Sequence, residues 1–177
     1  MKRAKRTRNQ RPGPWGLGVL ACLLPLLATG KSSDRSAPIQ TSSTSTSSNA
    51  GPNTKSVLTG NVRIVQGSLV ATGDLAEIYT GADSQVSRVV LTGGKAHIEQ
   101  LDDQGHRMEA DARRIDYDLV TSRAVLTGQA SAKKESMGVT TAPKIIYNVA
   151  DGTFNAEGSD DDPVHMTLYP RQPKPSP

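Results

Sequence analysis

An all-β domain of stacked antiparallel hairpins is the fold this sequence predicts, and three observations carry the prediction. Leu-Thr-Gly occurs three times, at Leu58, Leu91 and Leu126, spaced by 33 and 35 residues. Each copy opens an alternating segment, a turn, a second alternating segment and then a Tyr. Tyr79 and Tyr147 lie 21 positions after their Leu, and Tyr117 lies 26 after Leu91 because Leu101-Asp102-Asp103-Gln104-Gly105 lengthens one loop. No window keeps apolar residues at helical i, i+3, i+4 spacing over three turns. A repeat of this length with strand patterning describes units that cannot bury their apolar faces alone and must stack.

The chain begins with a segment of a different kind. Six of the 21 Lys and Arg fall in residues 1–30 (Lys2, Arg3, Lys5, Arg6, Arg8, Arg11), with no acid among them. An apolar run from Trp15 to Ala28 follows, then Ala28-Thr29-Gly30 as a small-x-small cleavage site. This is the layout of a secretory signal peptide, cleaved after Gly30. A spanning helix needs about 20 apolar residues, and this run is shorter and broken by Pro25. Val19-Leu20-Ala21-Cys22 loosely resembles a lipoprotein box, but the apolar run continues past Cys22, which does not suit a lipidated N-terminus. Cys22, the only cysteine, therefore leaves with the signal, and the mature chain has no thiol for a disulfide, catalysis or metal binding.

Removal of residues 1–30 also changes the electrostatic reading. The formal charge of +4 becomes −2, since 15 basic residues then face 17 acidic ones. A nucleic-acid partner, which needs a basic stripe on the folded domain, is excluded. The remaining 147 residues suffice for one domain with one modest core.

Residues 31–55 are rich in Ser and Thr and read by composition as a linker, with a polar first strand near Ile39 as the alternative. The β domain occupies 56–169. Val62 and Ile64 alternate with polar neighbours, Gln66-Gly67 turns, and Leu69 and Ala71 return. Leu75 to Tyr79 reads as a further strand. The second copy runs through Val89, Leu91, Ala96 and Ile98, turns, and returns through Met108, Ala110 and Ala112 to a strand ending at Tyr117. The third runs from Ala124 through Ala132, turns at Lys133 to Gly138, and reaches Ile145-Ile146-Tyr147. Short strands at Phe154–Ala156 and Val164–Leu168 precede a Pro-rich tail, 170–177.

Successive strand side chains face opposite sides. Val62, Ile64, Leu69, Ala71, Ile98, Met108, Ile115, Leu126 and Ile145 fall on the inner face, while Arg63, Glu99, Glu109, Arg114 and Asp116 face water. With four Tyr and Phe154 as the only mature aromatics, the interior is aliphatic. It either fills completely or leaves an open apolar channel, and composition alone favours the filled form.

No constellation for bond chemistry is present. His97, His106 and His165 lack metal-ligand spacing, and Asp160-Asp161-Asp162 lacks the Gly and Glu of a calcium loop. There is no Gly-x-Ser-x-Gly, no His-Glu-x-x-His and no phosphate-cradling Gly loop, the glycines being read as turn residues. Asp116 and Asp118 share a strand face, but aromatic sugar platforms are lacking. The sequence thus predicts no enzyme, no cofactor and no metal.

The segment Leu58-Thr59-Gly60-Asn61-Val62-Arg63-Ile64-Val65-Gln66-Gly67 resembles the opening motif of the LptA/OstA family of periplasmic lipopolysaccharide-transport proteins. The resemblance recurs at Ile115-Asp116-Tyr117-Asp118-Leu119 followed by Val125-Leu126-Thr127-Gly128, and covers residues 34–169. Asp34-Arg35-Ser36-Ala37-Pro38-Ile39 resembles the family's approach to its first strand, although Thr41 to Asn49 is Ser/Thr-rich where the family alternates apolar residues. The resemblance implies an OstA-like β-jellyroll with a hydrophobic groove open at both ends. It further implies a periplasmic bridge that binds the lipid A acyl chains of lipopolysaccharide against the nine inner-face residues named above. Its partners would be inner- and outer-membrane transport proteins of the same fold, together with head-to-tail copies of itself. The rival readings are a membrane-anchored inner-membrane partner of the same fold, a ligand-free structural β-solenoid, and a periplasmic hydrolase.

Overall fold

The computed structural model describes residues 32–49, 51–135, 137–149 and 153–170. The expected signal peptide and residues 171–177 of the expected tail lie outside them. A short 3₁₀ helix, Ser32–Ser36, leads into ten strands: β1 (Gln40–Ser42), β2 (Ser45–Ser47), β3 (Lys55–Gln66), β4 (Leu69–Thr80), β5 (Val86–Leu101), β6 (Arg107–Asp118), β7 (Arg123–Lys134), β8 (Gly138–Asn148), β9 (Phe154–Glu157) and β10 (His165–Leu168). They form one antiparallel sheet in which β3 to β8 meander in sequence order. β1 and β2 both pair with β3 at one edge, β9 and β10 both pair with β8 at the other, and the edges do not meet. The result is a jellyroll that is not closed into a barrel.

Two features differ from the reading of residues alone. The Ser/Thr-rich segment is not simply a linker, since Thr41 stands opposite Ile64 and Thr46 opposite Leu58. Backbone ladder bonds hold these strands although every side chain on them is exposed. The Tyr-terminated segments are not separate strands either. Leu69 to Tyr79 is one strand, as is Arg107 to Tyr117, and each Leu-Thr-Gly copy sits inside the long partner strand of the same hairpin.

The reason is a line of bulges. Register shifts at Thr59/Val62, Thr72/Leu75, Thr92/Ala96, Asp111/Arg114 and Thr127/Ala130 share one level of the sheet, and a further one at Tyr79/Thr80 lies at the end of β4. Bulges bend a strand and raise its local twist. Aligned across neighbouring strands, they crease the sheet so that its two halves face each other. The repeated glycines supply the crease and not the turns. Gly60 and Gly128 take φ of 78° and 79°, followed by Asn61 and Gln129 at 48° and 53°, a left-handed pair that side chains rarely adopt. In β8 the crease falls at Pro143, between the ladder partners Ala142 and Lys144, where a missing N–H costs no ladder bond to β7.

Each half contributes one row of side chains running across the strands. On the side that carries Tyr79, Tyr117 and Tyr147, hereafter the Tyr half, successive ladder partners are Leu58, Ala76, Leu91, Ile115, Leu126 and Ile145. All six are buried. The leucine of each repeat is therefore a core residue opposed by the next strand. On the other side, the Met half, the row is Ile64, Ala71, Ile98, Ala110, Ala132 and Thr140. Along the crease stand Val62, Ala96, Ala112, Ala130 and Ala142, all buried and four of them alanine. Outside, charge pairs run from strand to strand: Lys55 to Glu77 at 2.8 Å, Lys133 to Glu109 at 3.0 Å and Lys144 to Glu157 at 2.9 Å.

Candidate functional site

The two rows do not meet equally along the sheet. At the β3–β4 end Val62, Ile64 and Ala71 are buried and the interior is filled. From β5 onward the Met-half row is only half-buried at Ile98, Ala110 and Ala132. The halves diverge there around an apolar cavity of about 480 Å³, within the ~300–1,000 Å³ range of ligand pockets. Both halves line it, Ile115, Leu126 and Ile145 on one wall and Ile98, Ala110 and Ala132 on the other.

Six of the nine inner-face residues expected from the sequence reach this cavity: Leu69, Ile98, Met108, Ile115, Leu126 and Ile145. Val62, Ile64 and Ala71 lie on the same face but in the filled end, and they do not line it. Reasoning from the residues missed Tyr117, Tyr147, Phe154, Met137, Met166 and Leu168, which line the cavity as well. The recurring Tyr was the available signal for two of them. Phe154 opposes Tyr147 and Met166 opposes Thr140, so β9 and β10 extend the two walls past β8. Met166 and Leu168 remain 56 % and 68 % exposed, which makes the β10 edge an apolar lip.

Polar groups hold the frame around this apolar space. Asp34, buried in the 3₁₀ helix, accepts from the Ser68 backbone N–H at 3.0 Å, from the Ser68 hydroxyl, and from Gln100 Nε2 at 3.1 Å. The leading segment is thereby fastened to the β3–β4 turn and to Gln100, a residue of the cavity wall. At the β5–β6 turn Asp102 is buried, and burial pushes its carboxyl up. The backbone N–H of His106, the ammonium of Lys134 and the backbone N–H of Gln104 outweigh this and bring it below the ordinary 3.8. Lys134 Nζ lies 3.2 Å from that carboxylate, so its alkyl stem meets the cavity while its charge is neutralised. On the outer face the hydrogen bond from Arg88 holds Asp116 below its ordinary value, against the opposing effect of burial, with Arg114 adding to the pull.

His97 pairs outward with Asp111 at 2.8 Å, and His106 lies 3.3 Å from Asp102. Among the described residues no group of three or more His, Cys, Asp or Glu could hold a metal ion, and no helix is long and apolar enough to cross a membrane. The arrangement can do one thing well, which is to shelter aliphatic matter between two sheet halves while leaving a path along the open side.

Comparisons with known proteins agree with this geometry. The family described as LptA/(LptD N-terminal domain) LPS transport protein matches residues 40–153. A crystal structure of LptH, the LptA-homologous periplasmic component of the conserved lipopolysaccharide transport device from Pseudomonas aeruginosa, superposes with a TM-score of 0.67 at 26 % identity, covering 78 % of this chain and 99 % of that one. No curated protein matches.

Proposed function

This chain belongs to the LptA/LptD N-terminal domain family of lipopolysaccharide transport proteins, and from that premise we propose that it is a periplasmic bridge holding the lipid A acyl chains of lipopolysaccharide in the cavity between its sheet halves. The observation that carries the reading is the apolar space of about 480 Å³ that stays open to one side, walled by aliphatic side chains from both halves. Acyl chains gain about 0.8 kcal/mol per buried CH₂, so an aliphatic wall suffices without aromatic stacking. The sugars remain in water at the open side.

The unpaired edges suit strand addition by neighbours of the same fold. The β1/β2 edge of one copy against the β9/β10 edge of the next joins copies head to tail, and membrane-bound partners of like fold cap the series at either end. Such a contact repeats without closing, so its length follows concentration. A ligand-free structural solenoid fits the open cavity less well, because it has no reason to leave its interior unfilled.

The test is photocrosslinking in living cells from Ile98, in the cavity wall, with Arg114, on the outer face, as control. A lipopolysaccharide adduct at Ile98 and none at Arg114 is the expected result. No adduct at Ile98 in a correctly exported protein overturns the proposal.

A further inference from the structure

All three methionines beyond Met1 come together at the cavity. Met108 on β6, Met137 in the β7–β8 turn and Met166 on β10 line the Met-half mouth, although 29 and 29 residues separate them along the chain. Met137 and Met166 are 60 % and 56 % exposed, and Met108 is half-buried. The Tyr-half wall carries no methionine. No cysteine occurs among the described residues, which leaves these thioethers as the most readily oxidised sulfur.

We propose that Met108, Met137 and Met166 form an oxidation-sensitive rim, at which a hypohalous acid converts thioethers to sulfoxides and weakens the hold on acyl chains. The sulfur lone pair attacks the chlorine of hypochlorous acid, and water then displaces chloride from the chlorosulfonium. The product is the sulfoxide, with one chloride and one proton released. Sulfur loses two electrons and chlorine gains them, so no further reactant is needed. An unbranched apolar side chain becomes polar and gains a strong acceptor oxygen. At this mouth the new oxygen is added to the wall that also carries Ile98 and Ala132, where a bound acyl chain would strip it of water. Thioether flexibility suits a lip that must adapt to chains of different length, and the same choice of residue makes the lip oxidisable. The inference rests on the acyl-binding reading above.

The experiment uses the exported, processed protein, fluorescently labelled lipopolysaccharide as probe, and stoichiometric hypochlorous acid. Peptide mass spectrometry follows addition of one oxygen at each methionine. The expected result is oxidation at Met137 and Met166 first, with affinity for the probe falling about ten-fold, as one poorly solvated polar group implies. Treatment with methionine sulfoxide reductases restores it. A variant with all three methionines replaced by leucine (M108L, M137L, M166L) is compared only with its own untreated affinity, whatever the substitutions themselves cost, and the same exposure leaves that value unchanged. If the untreated protein fails to bind the probe, the acyl-binding reading falls and this inference with it. If it binds and full oxidation leaves affinity unchanged, only this inference is overturned. Equal loss in the leucine variant also overturns it.

Discussion

Leu126 stands directly opposite Ile145 across the β7–β8 ladder, and the two retain 3 % and 0 % exposure. The third leucine of the repeat is therefore fully committed to the core. Leu126→Ala is expected to cost about 2–5 kcal/mol by loss of burial plus a residual cavity. Leu168→Ala, at 68 % exposure, should stay within about 0.5 kcal/mol. Chemical denaturation of the two variants tests the contrast, and equal effects would disprove the assignment of the core row.

Gly128, the glycine of the third repeat, and Gly94, which follows the glycine of the second, differ in kind. Gly128 has φ of 79°, and a Cβ there would lie 3.0 Å from Arg113 Cβ. Gly94 has no atom within 4 Å of such a Cβ. Gly128→Ala is expected to destabilise by about 1–2 kcal/mol, and Gly94→Ala to be neutral within about 0.5 kcal/mol. Thermal melts of both would show it.

Ala132 sits half-buried on the cavity wall, where a larger side chain can grow into free space. Ala132→Phe is expected to occupy the site and reduce lipopolysaccharide binding by about ten-fold or more, while stability changes by less than the ~1–3 kcal/mol of overpacking in a filled core. Ala130→Phe, at the crease with 1 % exposure, should instead show the full overpacking cost. Binding and melting measured on the same samples separate the two outcomes.

Asp34 fastens the leading segment through Ser68 and Gln100. Asp34→Ala leaves those donors without their acceptor and is expected to cost about 1–3 kcal/mol. Hydrogen exchange should rise at the Ser68 amide and leave β7 untouched. Unchanged protection at Ser68 would show that the 3₁₀ helix holds by other means.

The Asp116 carboxyl sits below its ordinary 3.8 because Arg88 donates to it, Nε lying 2.7 Å from Oδ1. A carboxyl depressed in the folded state contributes stability that is fully present above 3.8 and is lost as pH falls through the lower folded value. Asp116→Asn is therefore expected to be less stable than the parent at pH 7, with the gap narrowing as pH drops below about 4. Urea titrations at several pH values measure the gap directly. A gap that does not depend on pH would rule out this pair as the source.

Most of the inner face could be read from alternation within short segments, because every segment between bulges keeps a strict two-residue period. The continuity of the strands could not. In β4 the inward residues are Leu69 and Ala71 before the crease but Ala76 and Ile78 after it, a change of parity. β5, β6 and β8 change likewise, from Val89 and Leu91 to Ala96 and Ile98, from Ala110 and Ala112 to Ile115 and Tyr117, and from Ala142 to Ile145. Five residues separate the two rows in β4, β6 and β8 and seven in β5, an odd number that flips the alternation and makes one strand look like two. Six separate them in β3 and β7, and there the parity is kept. The repeat itself is plain, yet its glycines read as turns, because a left-handed pair inside a ladder leaves the same mark in a sequence as a hairpin end. The filled end at Val62, Ile64 and Ala71 was also hidden. Whether two facing rows touch or part depends on how sharply the sheet bends, and no local pattern records that angle.

Bulge-aligned strands give this sheet a direction in which it is soft. Along β3 to β8 the ladders resist stretching, whereas across the crease the ladders skip one to four residues of each strand at the same level. Compliance is thus concentrated in one strip parallel to the cavity, and alanines on that strip offer little side-chain bulk to oppose a change of angle. On the proposed reading, acyl cargo of different girth is accommodated by flexing this strip, with both facing rows left intact, in the way a bound volume opens along its spine.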